Sequence, residues 1–294
     1  MINFIGNKKI FFILSAVIII AGIVAYAAFG GLNLDLDFKG GTSIRMNIGK
    51  EFADEDIKAI IAEVAGNQTV QIQKSGEAKT EVDIRTLELE TEKRDQIIEK
   101  IKEKYSLQQS AVLEATNVSA SASTQLISDA FKAIAWAVLF MLIYITIRFN
   151  FRSGISAIVG LVHNILVMLS VYAIFRLPVN SSFIAAVLTI VGYSINDTIV
   201  VFDKIRENGK NDRRSAFGEV ANYSLNQTLT RTLYTSVTTL VTILALYILG
   251  VDSIREFALP IIIGVVVGTY SSICISTPIW VVLRSIKTGK KKAK

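Results

Sequence analysis

The segment Val191-Gly192-Tyr193-Ser194-Ile195-Asn196-Asp197-Thr198-Ile199-Val200-Val201-Phe202-Asp203-Lys204-Ile205-Arg206-Glu207-Asn208 begins in an apolar run and ends in a charged one. Asp197 sits on the apolar side of that boundary, six residues before Asp203, and so about 9 Å deeper along a helix. A carboxylate at membrane depth costs several kcal/mol unless it is paired, hydrated or protonated, and such a residue is read first as functional. The competing reading is a soluble helix with a buried, paired Asp. The rest of the chain decides between them.

Composition favours a membrane. Of 294 residues, 51% are hydrophobic and 19% charged, against about 45–50% and about 25% in ordinary soluble domains. The mean hydropathy is +0.48. Charge is uneven: residues 30–125 hold 17 acids against 12 Lys plus Arg, so the excess of +6 is concentrated outside that stretch. Basic residues beside long apolar runs are the mark of the cytoplasmic side of a bilayer rather than of nucleic-acid binding. The one cysteine, Cys274, lies in an apolar run and excludes an intrachain disulfide framework.

Ile10 to Phe29 carries no charge over about twenty residues, the length of a spanning helix. Ala25-Tyr26-Ala27 resembles a signal-peptidase site, but signal-peptide apolar cores run only ~7–15 residues, so residues 1–29 are expected to be an uncleaved anchor. Further apolar spans follow at about 133–147, 155–175, 183–202, 233–250 and 258–283, with Gly154, Pro178, Gly250 and Pro260 read as punctuating their ends. Six spans result. Lys8 and Lys9, Arg148 and Arg152, the Lys204–Arg214 cluster and the basic tail 284–294 all fall on one side. The positive-inside rule makes that side cytoplasmic, with both termini there and residues 30–125 outside. The Lys-rich tail is a topology signal that also suits anionic lipid.

Residues 30–125 read as an α+β domain. Ile44, Met46 and Ile48 alternate as a strand face, as do Val70 with Ile72 and Val82 with Ile84. Ile57, Ile60, Ile61 and Val64 recur at helical spacing, as do Ile97, Ile98 and Ile101, and a last strand is expected at Ala111–Leu113. Strand–helix–strand–strand–helix–strand is the ferredoxin-like order. The domain carries no metal-ligand spacing and no nucleophile with a base, so neither a resident metal nor an enzyme is expected.

Eight acids lie outside that domain, and only Asp197 has no short route to a loop. Arg231, entering the fifth span from the same side, is its natural partner. Arg231, Thr235, Thr238 and Thr242 recur along one helix face. Against a role for them stand snorkelling of the arginine and bonding of each threonine to its own helix carbonyls. Burial favours the neutral acid and a nearby guanidinium favours the carboxylate, so an Asp197–Arg231 pair suits proton handling. His163, the only histidine, is a relay candidate against the simpler reading of a neutral packing residue. Gly264 and Gly268 form a small-xxx-small pattern in the sixth span, and Gly30-Gly31 reads as a hinge or a helix cap.

Three motifs carry a family resemblance that covers essentially the whole chain: Leu36-Asp37-Phe38-Lys39-Gly40-Gly41-Thr42; Gly192-Tyr193-Ser194-Ile195-Asn196-Asp197-Thr198, running on to Asn208; and Asn226-Gln227-Thr228-Leu229-Thr230-Arg231-Thr232, followed by Thr235-Ser236. The chain resembles SecF-type members of the SecD/SecF family of bacterial and archaeal secretion proteins, within the resistance-nodulation-division (RND) superfamily. The resemblance implies a six-helix half unit with an extracytoplasmic ferredoxin-like domain between helices 1 and 2. It implies a proton-coupling role for Asp197, Arg231 and Thr235, with His163 as a further candidate. It places Asp37, Phe38, Gly40, Gly41, Gly192, Tyr193, Ser194 and Asn196 in family motifs.

The implied partners are SecD, the SecYEG channel, SecA and YajC in the wider assembly, translocating preproteins and the lipid bilayer. The implied work is proton-motive-force-driven export across the prokaryotic cytoplasmic membrane, without a cofactor and without nucleic acid; sodium also fits these residues. One departure from the family pattern is Asn164 after His163, where Asp is expected. A small-molecule or lipid exporter half unit, an uncoupled membrane scaffold and an intramembrane enzyme are the competing classes. The single short outer domain leaves little room for an exporter's pocket, and no catalytic constellation supports the enzyme.

Overall fold

A computed structural model describes residues 1–66, 70–75, 80–212 and 214–292. The last two residues of the basic tail and Arg213 of the Lys204–Arg214 cluster lie outside the described residues. The chain divides into two compact units, Met1–Asn33 with Phe131–Lys294, and Leu34–Ala130.

The smaller unit is built from α2 (Leu36–Lys39), β1 (Gly41–Asn47), α3 (Asp54–Ala65), β2 (Val70–Ser75), β3 (Glu81–Thr86), α4 (Thr91–Tyr105) and β4 (Val112–Val118). Its sheet has the order β2-β3-β1-β4, with each neighbouring pair antiparallel. This is the ferredoxin-like arrangement expected from the sequence. Ile44, Met46, Val82 and Ile84 on the sheet close against Ile57, Ile61, Ile97 and Ile101 of the two long helices. Asp54, Glu55 and Asp56 open α3, where the helix dipole favours acids. β4 extends well beyond the expected Ala111–Leu113 because its exposure does not alternate strictly, and a register shift opposite Arg45 and Met46 breaks its pattern.

Gly40 and Gly41 explain their motif locally. Both have positive φ, at 73° and 142°, and a Cβ on Gly41 would sit against the Thr86 carbonyl oxygen. Only glycine lets β1 turn out of α2 and pass this close to β3. Asp35 caps α2 by accepting from the Leu36 N–H, Asp37 lies in its first turn, and Phe38 is buried.

The larger unit holds α1 (Lys8–Ala28), α5 (Ala120–Arg148) from Phe131 onward, α6 (Phe151–Ile174), α7 (Ser181–Asn211), α8 (Phe217–Leu249), α9 (Asp252–Ser271) and α10 (Thr277–Lys292). Among the described residues, six helical segments are long and apolar enough to cross a membrane. The sixth is one continuous run in which a buried π-helical stretch, Ser272–Ser276, joins α9 to α10. Several helices outrun the expected spans: α7 continues past Phe202 to Asn211, and α8 begins at Phe217 rather than near 233. The sequence pattern marks the apolar part only, and the polar ends are held by contacts between helices. Gly154 and Pro260 lie inside α6 and α9, not at their ends. Gly154 is a packing glycine, since a Cβ there would meet Thr146 Oγ1 at 2.7 Å.

Gly30-Gly31 caps α1. The Gly31 N–H donates to Tyr26 O at 2.8 Å and the Gly30 N–H to Ala27 O at 3.4 Å, the paired bonds of a Schellman motif with Gly30 at φ 69°. Arg176, at φ 54°, ends α6 with Leu177 N–H donating back to Tyr172 O. Its guanidinium donates to Gly31 O at 2.8 Å and lies over the Phe29 ring, which ties the end of α1 to the α6–α7 turn.

Candidate functional site

α7 is positioned by a glycine seam on α9. A Cβ on Gly264 would come within 2.5 Å of Ile190 Cγ1, and one on Gly268 within 3.3 Å of Ser194 Cβ. The small-xxx-small pattern therefore has a defined partner: α9 lies backbone-close on α7 one turn before Asp197. Ser194 accepts a hydrogen bond from Asn164 Nδ2 of α6 at 2.7 Å, and its carbonyl accepts from Thr198 Oγ1 at 3.1 Å. Asn164 in place of the expected acid thus ties α6 to the turn of α7 that precedes Asp197.

Asp197 is 3% exposed, and its Oδ2 is sealed without a hydrogen-bond partner among the described residues. Thr232 Oγ1, Tyr193 OH, Asn164 Oδ1 and His163 Nδ1 are likewise buried without partners there. Buried polar atoms are nearly always satisfied in native interiors. Such atoms on α6, α7 and α8 make the interior of this bundle suited to water or an ion.

Arg231 does not pair with Asp197. Its charge acts on the carboxylate, but no hydrogen bond or ion pair joins the two among the described residues, and Arg231 is exposed. Thr235, Thr238 and Thr242 share its exposed face and bond the carbonyls of Thr232, Tyr234 and Thr238. The buried polar stripe of α8 is Thr228, Thr232 and Ser236, one residue round from the expected one, with Ser236 bonded to Thr269 of α9. Four-residue spacing fits either stripe, so the sequence alone does not say which faces inward.

The α7–α8 hairpin still brings these groups to one level. Asn208 donates to Ser224 Oγ at 2.9 Å and to Gln227 Oε1 at 2.8 Å. At about 1.5 Å per residue, the eleven residues from Asn208 back to Asp197 match the rise from Ser224 to Thr235. Asn226 and Asn222 instead hold the N-terminal backbone: Asn226 accepts from Ile2 N–H and Asn222 from Ile5 N–H, and both amides donate to Ile2 O. Gly192 and Asn196, with Ser181, Ala185 and Thr189, form an exposed small or polar stripe on α7.

His163 belongs to a different cluster. Its Nε2 shares a hydrogen bond with Ser15 Oγ of α1 at 2.9 Å, Ser15 bonds Tyr270 OH at 3.1 Å, and Tyr270 donates to Phe11 O. These bonds fasten α1 to α6 and α9. No group of three or more His, Cys, Asp or Glu suited to a metal occurs among the described residues.

Residues 97–286 match the model of the family described as protein export membrane protein SecD/SecF, C-terminal. The chain belongs to the SecD/SecF family. It is 33% identical to the protein translocase subunit SecF of Petrotoga mobilis over 100% of this chain and 99% of that one. It is 38% identical to SecF of Dictyoglomus turgidum over 95% and 96% of the two chains. Its fold is similar to the crystal structure of SecDF, a translocon-associated membrane protein from Thermus thermophilus, with a TM-score of 0.83 at 32% identity. That match covers 97% of this chain and 39% of the longer one. The family setting agrees with a multi-pass membrane protein whose small sheet domain lies between the first two spans.

Proposed function

We propose that this chain is an accessory subunit of the Sec preprotein translocase, working with SecD to draw on the proton-motive force in late steps of protein export. The observation that carries the coupling is Asp197: a family-motif carboxylate, sealed at membrane depth with one oxygen free of any partner among the described residues. In this reading it gains and loses a proton as helix packing and hydration change, and each charge moved yields ~2.3 kcal/mol per 100 mV. Arg231 and Thr235 act from the adjoining exposed face, where a partner half completes the site. Sodium is the alternative coupling ion, and the chain needs no other cofactor and no hydrolytic site of its own.

SecD is the partner this reading requires, because the longer SecDF chain combines a region like this one with additional sequence. The exposed stripes on α7 and α8 supply the docking surface. SecYEG, SecA and YajC belong to the wider assembly, with both termini in the cytoplasm and the ferredoxin-like unit on the far side of the cytoplasmic membrane. The test is release of preprotein from membrane vesicles containing the full Sec complex. The gradient-dependent part of release is expected to vanish in Asp197→Asn; full gradient dependence in that variant would overturn the coupling role.

A further inference from the structure

At the charged end of the bundle the α5–α6 turn, the polar end of α7 and α10 enclose a cleft of about 230 Å³. Its walls include Asn150, Arg206, Lys210 and Arg284 over an aromatic floor of Phe149 and Trp280. The floor is rigid: Trp280 is 3% exposed, with its ring centroid 4.5 Å from Phe202 and 5.2 Å from Phe217. Arg284 lies 4.0 Å over the Phe217 ring, and Arg206 donates to Arg148 O at 3.1 Å. Adjoining openings add Arg148 and Arg152. The acids at the rim are already engaged, Asp203 with Arg148 at 3.8 Å and Glu207 with Lys204 at 3.0 Å.

We infer that this cleft binds the phosphodiester headgroup of an anionic phospholipid. The cationic groups stand where the apolar part of the spans ends, which is the depth of a bilayer's phosphates. Beside the opening, Phe151 is 62% exposed and Ile147 81% exposed, which gives acyl chains an apolar wall next to the charged one. A soluble phosphate compound would gain nothing from that wall, so the amphipathic setting selects a lipid. The guanidinium groups of Arg206 and Arg284 supply forked donors suited to phosphate oxygens, and Lys210 adds a point charge.

The test is thermal unfolding of the detergent-solubilised full chain with added phosphatidylglycerol, phosphatidylcholine or inorganic phosphate. A ligand that binds the folded state raises the midpoint. Phosphatidylglycerol is expected to raise it by several degrees more than phosphatidylcholine does. That difference should fall by at least half in Arg206→Gln/Lys210→Gln, and persist in Lys8→Gln/Lys9→Gln, which removes the same charge from α1. Lys210→Gln alone, at an exposed position, serves if the double variant does not fold, and should show a partial loss. Equal shifts with both lipids, or equal losses in the cleft and α1 variants, would overturn the site. A shift of the same size with millimolar inorganic phosphate would overturn the lipid assignment.

Discussion

Asp56 and Asp197 are carboxylates held in opposite ways. Asp56 is half-exposed in the first turn of α3, where Lys104 approaches to 2.8 Å and Tyr105 OH donates at 3.4 Å. The hydrogen bond from Lys104 is the main cause that holds its carboxyl below the usual 3.8. A depressed folded-state value contributes stability that is present above pH 3.8 and lost as the pH falls through the folded value. Acid titration of the smaller unit, followed by a backbone exchange probe in the full chain, should show this loss below about pH 4. Asp56→Asn should remove that component of the acid sensitivity and, with it, the same small contribution to stability at neutral pH. Asp197 is instead buried, with no hydrogen bond or ion pair to its carboxylate among the described residues. The isosteric Asn keeps a buried polar group but cannot carry an unpaired charge, so Asp197→Asn should unfold in detergent at the native temperature or slightly above it, a gain on the order of 1 kcal/mol or less. A midpoint several degrees lower would mean that the carboxylate has a stabilising partner after all. Under the proposed coupling role, Asp197 is kept at a cost in stability, which is the usual condition of strained or destabilised sites.

The helices divide their polar residues between two faces, and the division can be tested on α8. Ser236 is buried and bonded to Thr269, whereas Arg231 and Thr235 are exposed. Ser236→Val leaves the Thr269 hydroxyl its own Val265 carbonyl, yet strips the bond across to α9 and should cost about 1–2 kcal/mol of thermal stability. Arg231→Leu should leave the midpoint of the isolated chain unchanged while abolishing gradient-dependent release in the assembled complex. On α9, Gly264→Val should lower the midpoint more than either, because its side chain would be driven into Ile190 at the closest point of the α7–α9 seam. The sequence announced the six spans, the ferredoxin-like order and the anomaly of Asp197, because apolar length, alternation and an isolated acid are local signals. It did not say which threonine stripe turns inward, since Arg231 and Thr235 stand at the same four-residue spacing as Thr228, Thr232 and Ser236. Nor did it locate the polar ends of α7 and α8. Those turns are fixed by Asn208 reaching Ser224 and Gln227 and by Asn222 and Asn226 holding residues 2–5, contacts that link distant parts of the chain. The π-helical stretch in the sixth span was equally silent; the Ser271 hydroxyl just before it donates to Gly160 O of α6, a contact between distant parts of the chain.

At the scale of the molecule, the six-helix unit leaves a surface that a bilayer alone does not suit. Exposed leucines, isoleucines and phenylalanines on α1, α5 and α8 belong in lipid. Ser181, Ala185, Thr189, Gly192 and Asn196 on α7, beside Arg231 and Thr235 on α8, do not, because an arginine facing lipid at depth costs several kcal/mol even after snorkelling. Small residues let helix backbones approach closely, and helices in membranes associate through such surfaces rather than through apolar bulk. Gly192 has open space where a Cβ would be, with nothing among the described residues within 4 Å of it, and it is exposed. Gly192→Trp should therefore leave the unfolding midpoint of the isolated chain close to native. In membranes that also contain SecD, the same substitution should obstruct the partner's helices and reduce the SecD recovered with the tagged chain at least tenfold. A comparable substitution on a lipid-type face, Ile13→Trp on α1, should leave recovery intact. If both variants retained SecD equally, the α7 stripe would face lipid or water instead, and Asp197 and Arg231 would have to couple to the gradient within one chain.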